Sequence, residues 1–313
     1  MEDWAGKIDN KKGFKMVGGS IIVAENESGY ILSSASYPLM YNVNLYHILY
    51  KNKQLNDTLK KYEVGTIPEY IRIRFDNPDY INFAENDMLP GSIVKPLLAY
   101  CGLQFLPDNY SQNWLNNFLG WSKNEKTEKM FTDLFIEGNY FDTARNVYRT
   151  DFGFTPYTTD HTKLKNAPTL THAVGQYQKL VFKNIVQAYM RIKTGKKIEL
   201  SYRTTNQDFD LLSLDNEQLD KLRLAMCALR NGTAKKTGNS LKGVDYSNFL
   251  AKKGTAQIGK NANNNRTSAI IIVGDNFTIG IQLYGVVPKN DDGLSAQYLF
   301  IDIIEILKHH NIL

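Results

Sequence analysis

The chain has 313 residues, 42% of them hydrophobic, with 37 Lys+Arg against 32 Asp+Glu for a formal net charge of +5. That length holds one large domain or two ordinary ones, and the apolar fraction is enough for a proper core. The basic residues are spread without an arginine-rich arm or basic helix, which argues against nucleic acid as a partner, and no run of about 18 apolar residues is present to span a membrane.

In chain order, residues 1–16 read as a flexible lead-in, followed by a domain over 17–313. The apolar run 18–23, the turn Asn26-Glu27-Ser28-Gly29 and the strand 30–34 make a hairpin. Residues 38–61 read as mostly helical and 62–88 as irregular. An apolar helix is expected over 93–101, a short helix over 114–119, a turn at Trp121-Ser122-Lys123-Asn124 and a helix over 125–135. A Thr/Asp/Pro-rich loop over 149–168 leads to a long helical region over 171–193, closed by Gly195. Leu219, Leu222, Met226 and Leu229 recur at helical spacing within 217–229. Three strands over 247–256, 267–273 and 278–284 follow; Asn261 to Asn265 is a polar hairpin tip and Gly274-Asp275-Asn276 joins the last pair. An amphipathic helix over 294–310 ends the chain. Antiparallel strands at both ends with helices between them predict an α+β fold, its sheet built from both termini.

Cys101 and Cys227 each fall in an apolar helical pattern and read as buried core thiols. The histidines show no metal-ligand spacing, so no metal or cofactor is expected. Residues 1–16 are polar and charged, without the apolar core of a signal peptide. If the protein works outside the cytoplasm, the expectation is that this chain is a fragment of a longer, anchored one.

The chemistry centres on Leu89-Pro90-Gly91-Ser92-Ile93-Val94-Lys95-Pro96. Ser92 and Lys95 are three residues apart at a helix start, so their side chains share a face. A free serine is a weak nucleophile and needs an adjacent base, a role lysine fills when burial or a nearby cation lowers its pKa. The helix N-terminus adds backbone N–H groups and a positive dipole end. The bland alternative makes Ser92 a helix cap and Lys95 a solvated charge.

Two further segments keep company with it. Ser122-Lys123-Asn124 follows Asn117-Phe118-Leu119-Gly120-Trp121, and Lys252-Lys253-Gly254-Thr255 lies on an expected strand. The S-x-x-K, S-x-N and K-x-G set resembles that of penicillin-binding proteins and serine β-lactamases. The flanks resemble the transpeptidase domain of penicillin-binding proteins: the opening hairpin with Tyr37-Pro38, Pro90-Gly91 before the serine, Pro96 after the lysine, Gly175-Gln176, and Asn231-Gly232-Thr233-Ala234. The resemblance covers roughly residues 17–310. It implies a β-lactamase/transpeptidase-like α+β fold with an all-helical subregion.

By resemblance, the activity is that of a peptidoglycan D,D-transpeptidase acting on stem peptides that end in D-Ala-D-Ala, with β-lactams as inhibitors and a glycosyltransferase as a possible partner. The implied setting is the periplasm or the extracytoplasmic face of the envelope. Ser92 is then the nucleophile, Lys95 its base, Ser122 a proton carrier, Asn124 an orienting group and Lys252 a source of positive potential. Gly254, Thr255 and Lys253 would line the substrate strand, with the N–H groups of Ser92 and Thr255 as the oxyanion hole.

The chain departs from the family pattern at two places. Lys253 stands where a hydroxyl is usual, and Ser92 and Ser122 are only 30 residues apart (122 − 92), a shorter gap than the family shows. Ser111-Gln112-Asn113 is read as lacking the helix that should follow. Lys193-Thr194-Gly195 is set aside as a helix end and Lys236-Thr237-Gly238 as loop. The competing readings are a D,D-carboxypeptidase or serine β-lactamase, a catalytically silent domain of the same fold kept for binding, and an unrelated α+β protein.

Overall fold

A computed structural model describes residues 15–37, 87–88, 90–137, 146–154, 158–159, 178–203, 208–257, 265–286 and 296–309. The expected helix over 38–61, the Gly175-Gln176 pair and the hairpin tip at 261–264 lie outside the described residues.

The sheet is built from both ends of the chain. Strands β1 (Lys15–Glu25) and β2 (Ile31–Tyr37) form the opening hairpin. The later strands β6 (Leu250–Gln257), β7 (Asn265–Val273) and β8 (Phe277–Val286) complete a five-stranded antiparallel sheet in the order β2-β1-β8-β7-β6. β1 already begins at Lys15, inside the expected lead-in. Between them come the two-residue strand β3 (Asp87–Met88), helices α1 (Lys95–Phe105), α2 (Gln112–Leu119) and α3 (Asn124–Glu137), and strands β4 (Thr158–Thr159) and β5 (Gln178–Val181). Helices α4 (Phe182–Thr194), α5 (Asn216–Ala225), α6 (Ala228–Asn231) and α7 (Lys235–Ser240) follow, and α8 (Ala296–His309) closes the fold.

Strand alternation sends β7 and β8 side chains to two cores. Ala269, Ile271 and Val273 join α1 and α4, whose Phe182 and Val186 press on Gly280; a Cβ there would stand 2.3 Å from Val186 Cγ2. Ile270, Ile272, Ile279 and Ile281 meet Leu299, Phe300, Ile303 and Ile304 of α8 on the other side. Each such side chain, fully buried, contributes about 1.5–3 kcal/mol. Helix α1 is apolar all round, the mark of a helix with no solvent face: Leu97, Leu98, Ala99, Tyr100 and Cys101 are all buried.

Three differences from the sequence reading matter for the site. The turn carrying Ser92 is a 3₁₀ segment, Gly91–Val94, and the α-helix begins only at Lys95. The helix expected over 217–229 is broken: Met226 N–H is shared between Leu222 O and Arg223 O, and Cys227 instead pairs with Ala251 of β6. Apolar spacing runs through the break because Met226 still faces the core that Leu219 and Leu222 enter while Leu229 is buried in the other core; periodicity alone does not register the change of backbone. Finally, residues 178–181, expected as helix, form β5; α4 begins at Phe182, and Gly195 closes it in the left-handed conformation at φ 75°.

Candidate active site

Ser92, Ser122 and Lys252 come from three separated segments and meet at one end of β6. Glycine makes the first approach possible. A Cβ at Gly254 would stand 2.8 Å from Ile93 N, and one at Gly91, whose φ is +55°, 2.8 Å from Thr255 O. The 3₁₀ turn therefore lies against the backbone of β6, and either glycine replaced by a larger residue would push it away. Tyr189 of α4 holds the turn from the buried side, its hydroxyl donating to Ile93 O at 2.7 Å. In 3₁₀ geometry residues i and i+3 eclipse, so Ser92 and Lys95 stand one above the other. Ser92 itself is half-buried. The structure gives it no capping hydrogen bond: the N-cap of this turn is Pro90.

The Lys95 side chain is fully buried and donates three hydrogen bonds, to Ser122 O at 2.8 Å, Asn124 Oδ1 at 2.9 Å and Ser122 Oγ at 3.1 Å. Lys252, also fully buried, donates to Ser122 Oγ at 2.9 Å and to Lys253 O at 3.0 Å. One hydroxyl thus sits between two amines. Ser122 takes a positive φ of 58°, the single non-glycine case among the described residues, so its backbone is held where serine is strained. It is no ordinary helix cap: its hydroxyl is taken up by the lysines. Asn124 opens α3.

Neither lysine has an ion pair among the described residues. Burial pushes the Lys95 amine down to about 8, opposed by the exposed Glu125 carboxylate. Burial, then the charges of Lys95 and Lys253, push Lys252 well below the usual lysine range. Two buried amines hydrogen-bonded to one hydroxyl cannot both stay charged cheaply, so they titrate as a coupled pair, each held below the usual lysine range. The result is a cluster that can take a proton from a neighbouring hydroxyl.

β6 is an edge strand. Ala251 N–H turns away from β7 and donates to Met226 O at 2.9 Å, so by period two the N–H groups of Lys253 and Thr255 face the same open edge. Side-chain alternation puts Lys252 and Gly254 on the Ser122 side, and turns the half-buried Lys253 and the exposed Thr255 to the other. All eight sequence-predicted residues therefore lie on or beside this edge: hydrogen bonds join Lys95, Ser122, Asn124 and Lys252, Ser92 rides on the turn packed against Gly254, and Lys253 and Thr255 turn to the other face. The sequence reading missed Tyr189, which looks like one more apolar position in a helical stripe.

The rejected motifs are also explained. Ser111 does have a helix after it, contrary to expectation: it caps α2, its hydroxyl accepting from Trp114 N. Lys193-Thr194-Gly195 ends α4, as expected, while Lys236-Thr237-Gly238 lies within the short helix α7 rather than in a loop.

Solved structures share this architecture across the whole chain. The transpeptidase domain of the FtsI4 D,D-transpeptidase from Legionella pneumophila is 14% identical with a TM-score of 0.56, covering 100% of this chain and 94% of that one. The transpeptidase domain of Burkholderia pseudomallei penicillin-binding protein 3 is 13% identical with a TM-score of 0.65, covering 99% and 92%. The chain has the transpeptidase-domain fold of penicillin-binding proteins. A penicillin-binding protein solved with MreC from Helicobacter pylori matches at 18% identity and a TM-score of 0.65, over 100% of this chain and 63% of that one. No family model and no curated protein sequence matches the chain. Across the described residues of this transpeptidase-type fold, no helix is long and apolar enough to cross a membrane.

Proposed function

We propose that the protein is a peptidoglycan D,D-transpeptidase working by a Ser92 acyl-enzyme on the extracytoplasmic side of the cell envelope. The observation that carries this reading is the Ser122 hydroxyl held between Lys95 and Lys252, at 3.1 and 2.9 Å, beside the turn that carries Ser92.

The acyl donor is a stem peptide ending in D-Ala-D-Ala, laid along the open edge of β6. Ser92 Oγ attacks the penultimate carbonyl carbon while its proton passes to the neutral amine of Lys95. The carbonyl oxygen becomes an oxyanion facing the N–H groups of Ser92 and Thr255; one such donor is worth about 3–4 kcal/mol of barrier. The C–N bond breaks, and the departing D-Ala nitrogen takes a proton through Ser122 Oγ from the lysine pair. Asn124 keeps Lys95 in register, and the proton that remains on the lysine pair keeps the local potential positive. An amine of a second stem attacks the ester and restores Ser92. Water in place of that amine gives carboxypeptidase activity, and a β-lactam stalls the same route at the acyl stage. Protein partners of the kind named for the solved neighbours, MreC or a glycosyltransferase, belong to this reading.

A fluorescent penicillin should label the protein covalently, and Ser92→Ala should abolish the label. Labelling that survives Ser92→Ala removes Ser92 from the nucleophile role. Rapid turnover of free penicillin would reassign the protein as a β-lactamase.

A further inference from the structure

Ile93, the residue after Ser92, is fixed from two sides. Its nitrogen lies against β6, where a Cβ at Gly254 would stand 2.8 Å away. Its carbonyl oxygen accepts from the Tyr189 hydroxyl of α4 at 2.7 Å, and both residues are fully buried. The tyrosine fills a gap that the sequence leaves. Lys95 N–H closes the 3₁₀ turn on Ser92 O, and the next bond of that kind would run from residue 96 to Ile93 O. Residue 96 is a proline and has no N–H to give. No side chain caps the start of the turn either.

The hydroxyl is presented from a fixed platform. Phe182 and Val186 of α4 pack on Gly280 of the sheet. Gln187 donates to Phe152 O at 3.0 Å and accepts from Leu200 N–H at 2.8 Å, and Arg191 holds Asp151 O and Ile198 O. A second tie lies ahead of the turn. β5, which runs directly into α4, pairs with β3 through Asp87–Val181 and Met88–Leu180. Burial pushes the Tyr189 hydroxyl well above the ordinary tyrosine range, so it stays a donor wherever the lysine pair works.

We propose that Tyr189 is a positioning residue for acylation, its bond to Ile93 O holding the Ser92 turn where Oγ and the Ser92 N–H meet the substrate carbonyl. This rests on the acyl transfer proposed above and adds a residue outside the three motifs on which that transfer depends. Tyr189 acts through Ile93 alone. Without the hydroxyl, a buried carbonyl loses its donor and the turn shifts to recover one. A misplacement of about 1 Å at the reacting atoms costs up to about 100-fold in rate.

The fold contains a matched control. Tyr100 is equally buried and also donates at 2.7 Å, but to Asp151 rather than to the turn. The test measures acylation by a chromogenic β-lactam in stopped flow, separating the saturating rate from the half-saturating concentration. Tyr189→Phe should lower the saturating rate about 10- to 100-fold and leave the half-saturating concentration within about twofold. Its rate should still climb through about pH 8, because the lysine pair is untouched. Tyr100→Phe should keep the native rate even though its Tm also falls. A native rate in Tyr189→Phe, equal losses in the two variants, a loss confined to the half-saturating concentration, or a displaced pH profile overturns the positioning role. If Tyr189→Phe does not fold, Tyr189→Met decides by the same two constants, since methionine fills irregular space without a donor. Native protein that is not acylated sinks the acyl transfer and this role with it; acylation that ignores the Tyr189 hydroxyl sinks this role alone.

Discussion

Helix α1 carries two buried polar clusters, and they are wired in opposite ways. At its start, Lys95 shares the Ser122 hydroxyl with Lys252 and no carboxylate is bonded to either. Further along, Tyr100 donates to the buried carboxylate of Asp151 at 2.7 Å, which also accepts from Ser213 and pairs with Lys197 at 3.2 Å. Arg191, in turn, donates to the backbone oxygens of Asp151 and Ile198, each at 2.7 Å. The second cluster matches charge with charge and stitches α1, α4 and the 197–213 segment together. The first concentrates like charges and gives up stability for a reactive amine. Burial alone does not separate the two; what separates them is whether each charge finds its opposite.

The largest effect expected is on the first cluster. Lys95→Ala or Lys252→Ala should slow acylation by labelled penicillin about 10²–10⁴-fold, the usual worth of a positioned acid or base. The same changes should leave the Tm level or higher, because each removes a buried charge without a carboxylate partner. A large drop in Tm with unchanged labelling would make these lysines structural and erase the contrast.

Asp151→Ala should do the reverse. Removing the buried carboxylate that Tyr100, Ser213 and Lys197 share leaves the buried hydroxyl of Tyr100 without its acceptor, a loss of about 1–3 kcal/mol by urea denaturation. Labelling should persist wherever the variant is folded. Loss of labelling without loss of stability would mean that the two ends of α1 are coupled.

pH sharpens the comparison further. With the Lys95 amine near 8, acylation should climb as pH rises through about 8 and then level off, as the neutral base accumulates. Stability moves in the same sense. The folded pKa lies below the unfolded value of 10.5, so between about 8 and 10.5 the unfolded chain binds more protons, and the native state gains as pH rises. The gain should appear as a difference between the native protein and Lys95→Met in denaturation curves. A flat difference over that window would show that Lys95 is not depressed.

Much of this was legible in the chain. Gly91, Ser92, Lys95 and Gly254 announce themselves by type and spacing, because close backbone approach and a nucleophile–base pair admit few residues. The sheet was legible too, since β8 alternates large apolar residues with polar or small ones and β7 holds a continuous apolar run buried on both faces. Hidden from sequence were the features that depend on distant partners. Nothing local marks Tyr189 as the prop for Ile93 O, or Asp151 as the hub for Tyr100 and Ser213. The break at Met226 and Cys227 keeps helical spacing while the backbone turns to meet Ala251. Nor does a sequence say which side of β6 Lys253 takes until the strand's register against β7 is known.

The smallest effect expected tests whether the reactive cluster stores strain in its backbone. Ser122 sits at φ 58° while its hydroxyl serves two amines, so a single substitution mixes two losses. Comparing two variants separates them. Ser122→Ala and Ser122→Gly both delete the hydroxyl and should both label far more slowly than the native protein. They differ in that alanine keeps a Cβ in the left-handed region and glycine does not. The glycine variant should therefore be more stable than the alanine variant by about 1 kcal/mol in urea denaturation, despite the greater freedom of its unfolded chain. Equal stabilities would mean that the turn relaxes once the hydroxyl is gone, and that the lysines pull Ser122 into its conformation. A more stable glycine variant would mean that the fold imposes it, through Gly120 and the segment at Gly232 and Thr233 that grips it.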